Sequence, residues 1–509
     1  MKRALSILML CGACSTTSAP APETKAPAQA PQPAATPAAA QAGGGLADAP
    51  AYSAPDEPWR KEQPKGAASP EISLPKPQIF TLKNGLRVVL VETHHVPVVS
   101  GRLLVFAGAN RTKTPGLADL TAALLTEGTK SFNSIALADA IEDIGASLDA
   151  GASHDAAFVS FTTLSKHLDR TLELFNEVVT TPTFPEKELD RIRDQRLTAL
   201  LQQKDSPGAM ASNAAGRVVY GDAHPYAWPL IGTEASLKAF KRDDLVKFWQ
   251  AWYVPQNGRL LVVGDTTADD LKTKLEAQFA GWKGHTVAKD APPPAPKTGK
   301  RTIFVVDKPQ ASQSVVWVAH AGVPRSNPDY VPLLVANHIL GGSAAGRLFM
   351  NLREAKGFSY GAYSRFGFGR GPSLFYAGGN MRGNSTKEAV AETMKELERI
   401  RNEKVTDEEL GNAKAGTIGR MPARFETNGA IAGMLGELEL NGLPLDWYAT
   451  FAKKVSAVTA ADVQRVAKKY MHPESAQIIV VGDKSSVEAG LKELKLGNVE
   501  TRGPFGEKL

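Results

Sequence analysis

Few side chains in this sequence have the chemistry to make or break bonds, and their spacing narrows the choice further. Nine histidines are spread along the chain. His94 and His95 are adjacent, so on a strand they point to opposite faces. His154, His167, His224, His285, His320, His338 and His472 form no His-x-x-x-His pair that would put two imidazoles on one face of a helix around one metal. Each reads as a core or surface residue. The only cysteines, Cys11 and Cys14, lie at the extreme N-terminus. A disulfide, a Cys-ligated zinc, an iron–sulfur cluster and a thiol nucleophile are thereby excluded from the folded part. Ser343 sits in a Gly/Ala-rich stretch, but the Gly-x-Ser-x-Gly elbow and a His/Asp relay are missing. Arg353 and Tyr360 are fixed donors of the kind that stabilise a developing oxyanion. Taken alone, they read as a surface ion pair and a strand-capping aromatic.

The elements that must position these residues follow from composition and pattern. The 509 residues carry a net charge of +6 with 43% apolar residues, enough for two to four globular domains. The charge excess is small and no dense Lys/Arg stripe appears, so nucleic acid is not an expected partner. Lys2 and Arg3, a short apolar run and the small residues before Cys14 predict a lipoprotein-type signal over 1–13 with Cys14 lipidated. The alternative is a soluble secreted chain with a degenerate leader. Residues 14–76 are rich in Ala and Pro and predict a disordered, semi-rigid tether. Two like segments follow, a first domain over 77–285 and a second over 301–490, joined by a Pro-rich linker at 286–300 and followed by a tail at 491–509. Ala107-Gly108 recurs as Ala321-Gly322 at an offset of 214, and Val262-Val263-Gly264-Asp265 as Val480-Val481-Gly482-Asp483 at 218, which marks an internal repeat. The stretch 80–91 reads as strand, Asn-Gly turn and strand, 158–164 as a strand, and 168–179, 186–203, 244–252 and 462–470 as helices. Strands alternating with helices predict two α/β sandwich domains.

Several markers now coincide: Asn84-Gly85-Leu86, Gly116-Leu117-Ala118, Glu127-Gly128-Thr129, Asp205-Ser206-Pro207, His224-Pro225-Tyr226 with Gly232-Thr233, and Tyr253-Val254-Pro255-Gln256-Asn257. Over residues 77–485 the sequence resembles the pitrilysin/insulinase-like metallopeptidases, which include mitochondrial processing peptidase. The resemblance implies two homologous domains, each a mostly antiparallel sheet packed with helices, that make half of a clam-shaped chamber. Active members carry His-x-x-Glu-His after Gly-Leu-Ala, two zinc ligands and a general base, plus a distal Glu ligand. Here Asp119 stands at the first His, Ala122 at the base and Ala123 at the second His. Ala199, 76 residues beyond Ala123, stands at the distal Glu. A catalytic zinc needs three protein ligands, so no zinc and no independent peptidase activity are expected of this chain.

The second domain keeps what the first has lost. Arg353 and Tyr360 match the family's C-terminal substrate pair residue by residue. The resemblance therefore implies a non-catalytic subunit like the α-type processing-peptidase subunit, giving Arg353 and Tyr360 in trans to a homologous partner that carries zinc. A peptide or unfolded protein would be the substrate. The stretch 341–346 replaces that subunit's longer glycine-rich loop and is expected only to end a helix and form a turn. The signal and tether predict a lipid-anchored protein on the periplasmic side of a bacterial membrane, the alternative being a soluble periplasmic one. The competing expectation is an inert scaffold or peptide-binding protein of the same fold.

Overall fold

The computed structural model describes Pro58 and residues 76–509 except 289, 290 and 298. The signal 1–13, Cys14 and nearly all of the tether 14–76 lie outside the described residues.

Two six-stranded sheets organise the body. The first contains β1 (Gln78–Thr81), β2 (Arg87–Glu92), β3 (Val98–Val105), β4 (Ser147–Ala152), β5 (Ala157–Leu164) and β6 (Gly258–Gly264), in the order β1-β2-β6-β3-β5-β4. The second contains β7 (Thr302–Asp307), β8 (Gln313–Ala321), β9 (Ser359–Phe366), β10 (Leu374–Arg382), β11 (Gln477–Gly482) and β12 (Asn498–Arg502), in the order β12-β7-β11-β8-β10-β9. The two orders coincide once β12 takes the place of β1. Pairing is antiparallel except for β2 with β6 and β7 with β11 and β12. Residues 491–509, set apart in sequence as a tail, hold the end of helix Lys484–Glu493 and then β12, an edge strand of the second sheet.

Burial explains the strand sequences. Every residue of β11, Gln-Ile-Ile-Val-Val-Gly, is buried because helices cover both sheet faces. β5 instead alternates, with Ala157, Val159, Phe161 and Thr163 turned inward. Helix Leu168–Thr180 packs behind it, and the Phe175 ring sits edge-on to both Phe161 and Phe279.

Each half lends a helix to the other. Helix Pro207–Tyr220, capped by Ser206 with Pro207 in its first turn, leaves the first half. It lays Met210, Ala211, Ala214 and Ala215 against Val315 and Ile479 of the second sheet. In return helix Asn428–Leu440, capped by Thr427, packs Ile431, Met434 and Leu438 into the cluster that holds Val89, Leu261 and Val263 of the first sheet. Polar contacts close the same seam. The Tyr226 hydroxyl donates to Asp155 Oδ1 at 2.6 Å and accepts from Gly371 N, while Arg370 N donates to Asp155 Oδ2. His224 Nε2 lies 3.0 Å from Pro294 O in the linker. The His224-Pro225-Tyr226 marker thus joins the halves.

Candidate functional site

Helix Leu117–Ala123 carries three of the four positions at issue. Its N-cap Gly116 has φ 93°, and a Cβ there would come within 2.8 Å of Gly232 Cα, so only glycine lets the helix start this close to the Gly232-Thr233 turn. Asp119 lies in the first turn and Ala122 is fully buried. Helix Glu186–Gln203 brings the fourth position, Ala199, and also Arg196, one turn earlier. The Arg196 guanidinium pairs with the Asp119 carboxylate, and its Nη2 donates to Asp119 O at 3.3 Å. Both side chains are mostly buried. Close by, the Tyr253 hydroxyl is buried with no hydrogen-bond partner among the described residues. Its burial, and secondarily the Asp119 charge, raise its pKa well above the usual phenol range.

A zinc ion does not fit this donor set. The one carboxylate already neutralises a guanidinium, and the other three positions end in methyl groups, against the three protein ligands a catalytic zinc requires. Sequence reasoning located the four positions but missed Arg196. The signal was a basic residue three before Ala199, on the same helical face.

The second half displays its two residues through irregular backbone. Helix Tyr330–Gly341 ends at Gly342, whose N–H donates to Asn337 O, and Gly346 N then closes a turn on Ser343 O. The expected helix end and turn are therefore present at 341–346. Residues Met350–Ala355 then form a widened, π-type turn in which Lys356 N reaches Asn351 O, five residues back. Gly357, at φ 61°, stops it. Arg353 sits on the outer face, with its guanidinium 4.7 Å over the Phe349 ring and Nε 3.3 Å from Glu354 Oε1.

Tyr360 is the second residue of β9, and there the register slips. Ala362 faces Gly379 and Ser359 faces Met381, so Tyr360 and Gly361 together oppose the single residue Asn380. Ser359 Oγ lies 2.6 Å from Asn380 O and accepts from Gly361 N, pinning the bulge. The extra residue re-aims Tyr360 away from the packed row Ala362, Ser364 and Phe366. It is 85% exposed. Met350 and Tyr363 are exposed nearby, and Phe349 contacts Tyr363 at 5.7 Å between centroids. Arg353, Tyr360, Met350 and Tyr363 are all offered to solvent within fourteen residues.

Two like α/β sandwiches, an inverted-motif helix stripped of its metal donors, and an exposed Arg and Tyr beside a sheet edge define an insulinase-type chain. Comparison with known proteins agrees. Residues 87–217 match the family model described as Insulinase (Peptidase family M16), and residues 239–417 match the one described as Peptidase M16 inactive domain. The chain belongs to the insulinase family, M16. The crystal structure of an M16 inactive domain from Pseudomonas fluorescens superposes with TM-score 0.75 at 29% identity, over 80% of this chain and 98% of that one. A protease from Helicobacter pylori gives 0.73 at 24% identity, over 81% and 100%. Among curated relatives, the Bacillus subtilis protein named uncharacterized zinc protease YmxG is 24% identical over 391 residues, 76% of this chain and 93% of that protein. The Helicobacter pylori protein named non-peptidase homolog YmxG is 23% identical over 403 residues, 78% and 92%.

Proposed function

We propose that this chain is the non-catalytic, substrate-binding subunit of a two-chain zinc metallopeptidase. A homologous partner with an intact inverted zinc motif supplies the metal and the activated water. This chain supplies Arg353 and Tyr360, half of the clam-shaped chamber, and part of the surface that binds an extended peptide, by strand addition to a sheet edge. The Tyr360 hydroxyl and the Arg353 guanidinium then donate to the scissile carbonyl as negative charge develops on its oxygen. Lipid on Cys14 and the tether would hold the pair on the periplasmic side of a membrane.

The observation that carries this reading is the contrast between the two halves. An ion pair and methyl groups fill the metal position, while two separate backbone irregularities hold Arg353 and Tyr360 out to solvent, where neither contributes much to packing. The test mixes the purified chain with a homologous chain carrying His-x-x-Glu-His and follows a quenched fluorescent peptide. Activity should require both chains, and Arg353→Ala should abolish most of it. Full activity with Arg353→Ala would defeat the shared-site reading. The Helicobacter pylori relative named a non-peptidase homolog favours a second reading, an inert peptide-binding scaffold. On that reading the two chains associate, yet the mixture cleaves nothing beyond what the zinc-bearing chain cleaves alone.

A further inference from the structure

The widened turn that presents Arg353 has few anchors. Within Met350–Ala355 only Leu352 is buried, and Arg353, Glu354, Ala355 and Lys356 are exposed. A helix with five-residue hydrogen-bond spacing is a rare backbone state, found mostly as single turns and frequently at functional sites. On one side Leu352 holds the turn by packing. On the other side a groove of about 1260 Å³ opens, with Asn351, Glu392, Glu396 and Arg399 on its wall. Helix Thr386–Asn402 lies against the turn on that side and meets it through hydrogen bonds to Asn351.

Asn351 makes those bonds. Its Nδ2 donates to Glu392 Oε2 at 2.9 Å and to Glu396 Oε1 at 2.6 Å. Its backbone carbonyl accepts the Lys356 N–H that defines the wide turn. Glu392 and Glu396 stand four apart on helix Thr386–Asn402, where two like charges repel. Lys395 Nζ lies 3.6 Å from Glu392 Oε2 and Arg399 pairs with Glu396, and the neutral amide adds one N–H donor to each carboxylate. Glu396 is wholly buried, and Arg399 Nη1 meets both of its oxygens at 2.8 and 3.0 Å. The acceptor of the Asn351 bond is therefore itself fixed in place.

We infer that Asn351, held by Glu392 and Glu396, is the positioning residue that sets the pose of Arg353. It touches no substrate and acts only through the turn. Without it the turn reverts toward α-helical spacing, and loss of one residue of register rotates Arg353 by roughly 100° about the helix axis. Misplacement of a transition-state donor by even about 1 Å can cost on the order of 100-fold in rate.

The inference rests on the Arg353/Tyr360 reading, and a double-mutant cycle separates the two. Full-length Asn351→Ala, Arg353→Ala and the double variant are each mixed with the zinc-bearing homologue and assayed for kcat and KM on one quenched peptide. The expected result is a fall of at least about 10-fold in kcat for Asn351→Ala, with KM changed less than about threefold. In the Arg353→Ala background the second substitution should cost nothing more. Unchanged kcat in Asn351→Ala, or losses that multiply in the double variant, would overturn the positioning role while leaving the shared site intact. No loss in Arg353→Ala alone would overturn the shared site and the positioning role with it. If Asn351→Ala does not fold, Glu392→Ala removes one acceptor only and enters the same cycle, with a smaller loss that must likewise vanish without Arg353.

Discussion

Removal of a single oxygen from Tyr360 would separate its proposed role in catalysis from any role in folding. Tyr360 is 85% exposed, so only 15% of its side chain is packed. An aromatic side chain buries about 150–250 Å² at full burial. At about 25 cal/mol per Å², deleting the whole ring would cost less than roughly 1 kcal/mol. Tyr360→Phe keeps the ring and the bulge, so its effect on stability should stay within about 0.5 kcal/mol. The effect on rate is expected to be far larger. Loss of one preorganised donor to an oxyanion typically lowers kcat by about 10²–10³, equivalent to about 2.7–4 kcal/mol. Arg353 remains in place, so the lower end applies. The assay is kcat and KM for the two-chain mixture on a quenched peptide, beside urea unfolding of the isolated variant. A drop in kcat with stability unchanged is the signature sought. Wild-type kcat from Tyr360→Phe would mean that the hydroxyl donates nothing to the transition state.

Arg196→Ala leaves the mostly buried Asp119 carboxylate without its counter-charge and should destabilise the chain by about 1–3 kcal/mol in urea; adding Asp119→Ala should restore most of that, and a further loss would contradict the pairing. Burial holds the His320 imidazole down at about 4, against 6.5 when unfolded, with the backbone carbonyl of Ala321 and nearby Glu474 opposing and His472 adding to the shift. The unfolded chain therefore binds the extra proton first, so this contribution is complete above about pH 6.5 and fades as the pH falls toward 4, by at most about 3 kcal/mol. Urea midpoints across that range should show the slope, and a His320→Gln variant should flatten it. Tyr226→Phe removes the hydroxyl that Asp155 and Gly371 share, and should cost about 1–3 kcal/mol with no change in the activity of the mixture.

Much of the architecture was legible where a local pattern suffices. The Asn84-Gly85 turn between β1 and β2, and the helix at 186–203, lie where turn chemistry and periodicity put them. The degenerate positions Asp119, Ala122, Ala123 and Ala199 were legible because side-chain identity alone decides whether a metal can be held. What escaped depends on pairing across long separations. Arg196 meets Asp119 only because the fold brings two helices, distant in sequence, within reach of one long side chain. The bulge at Tyr360 exists only relative to Asn380, and the widened turn before it depends on a hydrogen bond that no residue pattern announces. β12 is short and polar, Asn-Val-Glu-Thr-Arg, and its role at a sheet edge follows from β7 rather than from its own composition. Arg353 and Tyr360 were picked out by resemblance; their exposure required the fold.

The exchange of helices Pro207–Tyr220 and Asn428–Leu440 has a mechanical consequence. Each sheet has one face dressed by a segment that the chain makes on the far side of the linker. A protein cut at 286–300 would yield two fragments with bare apolar sheets, not two working modules. The halves cannot swing apart as jaws without tearing out that packing. In the proposed pair, therefore, the gape that admits a polypeptide has to open between chains, and each chain moves as one rigid shell.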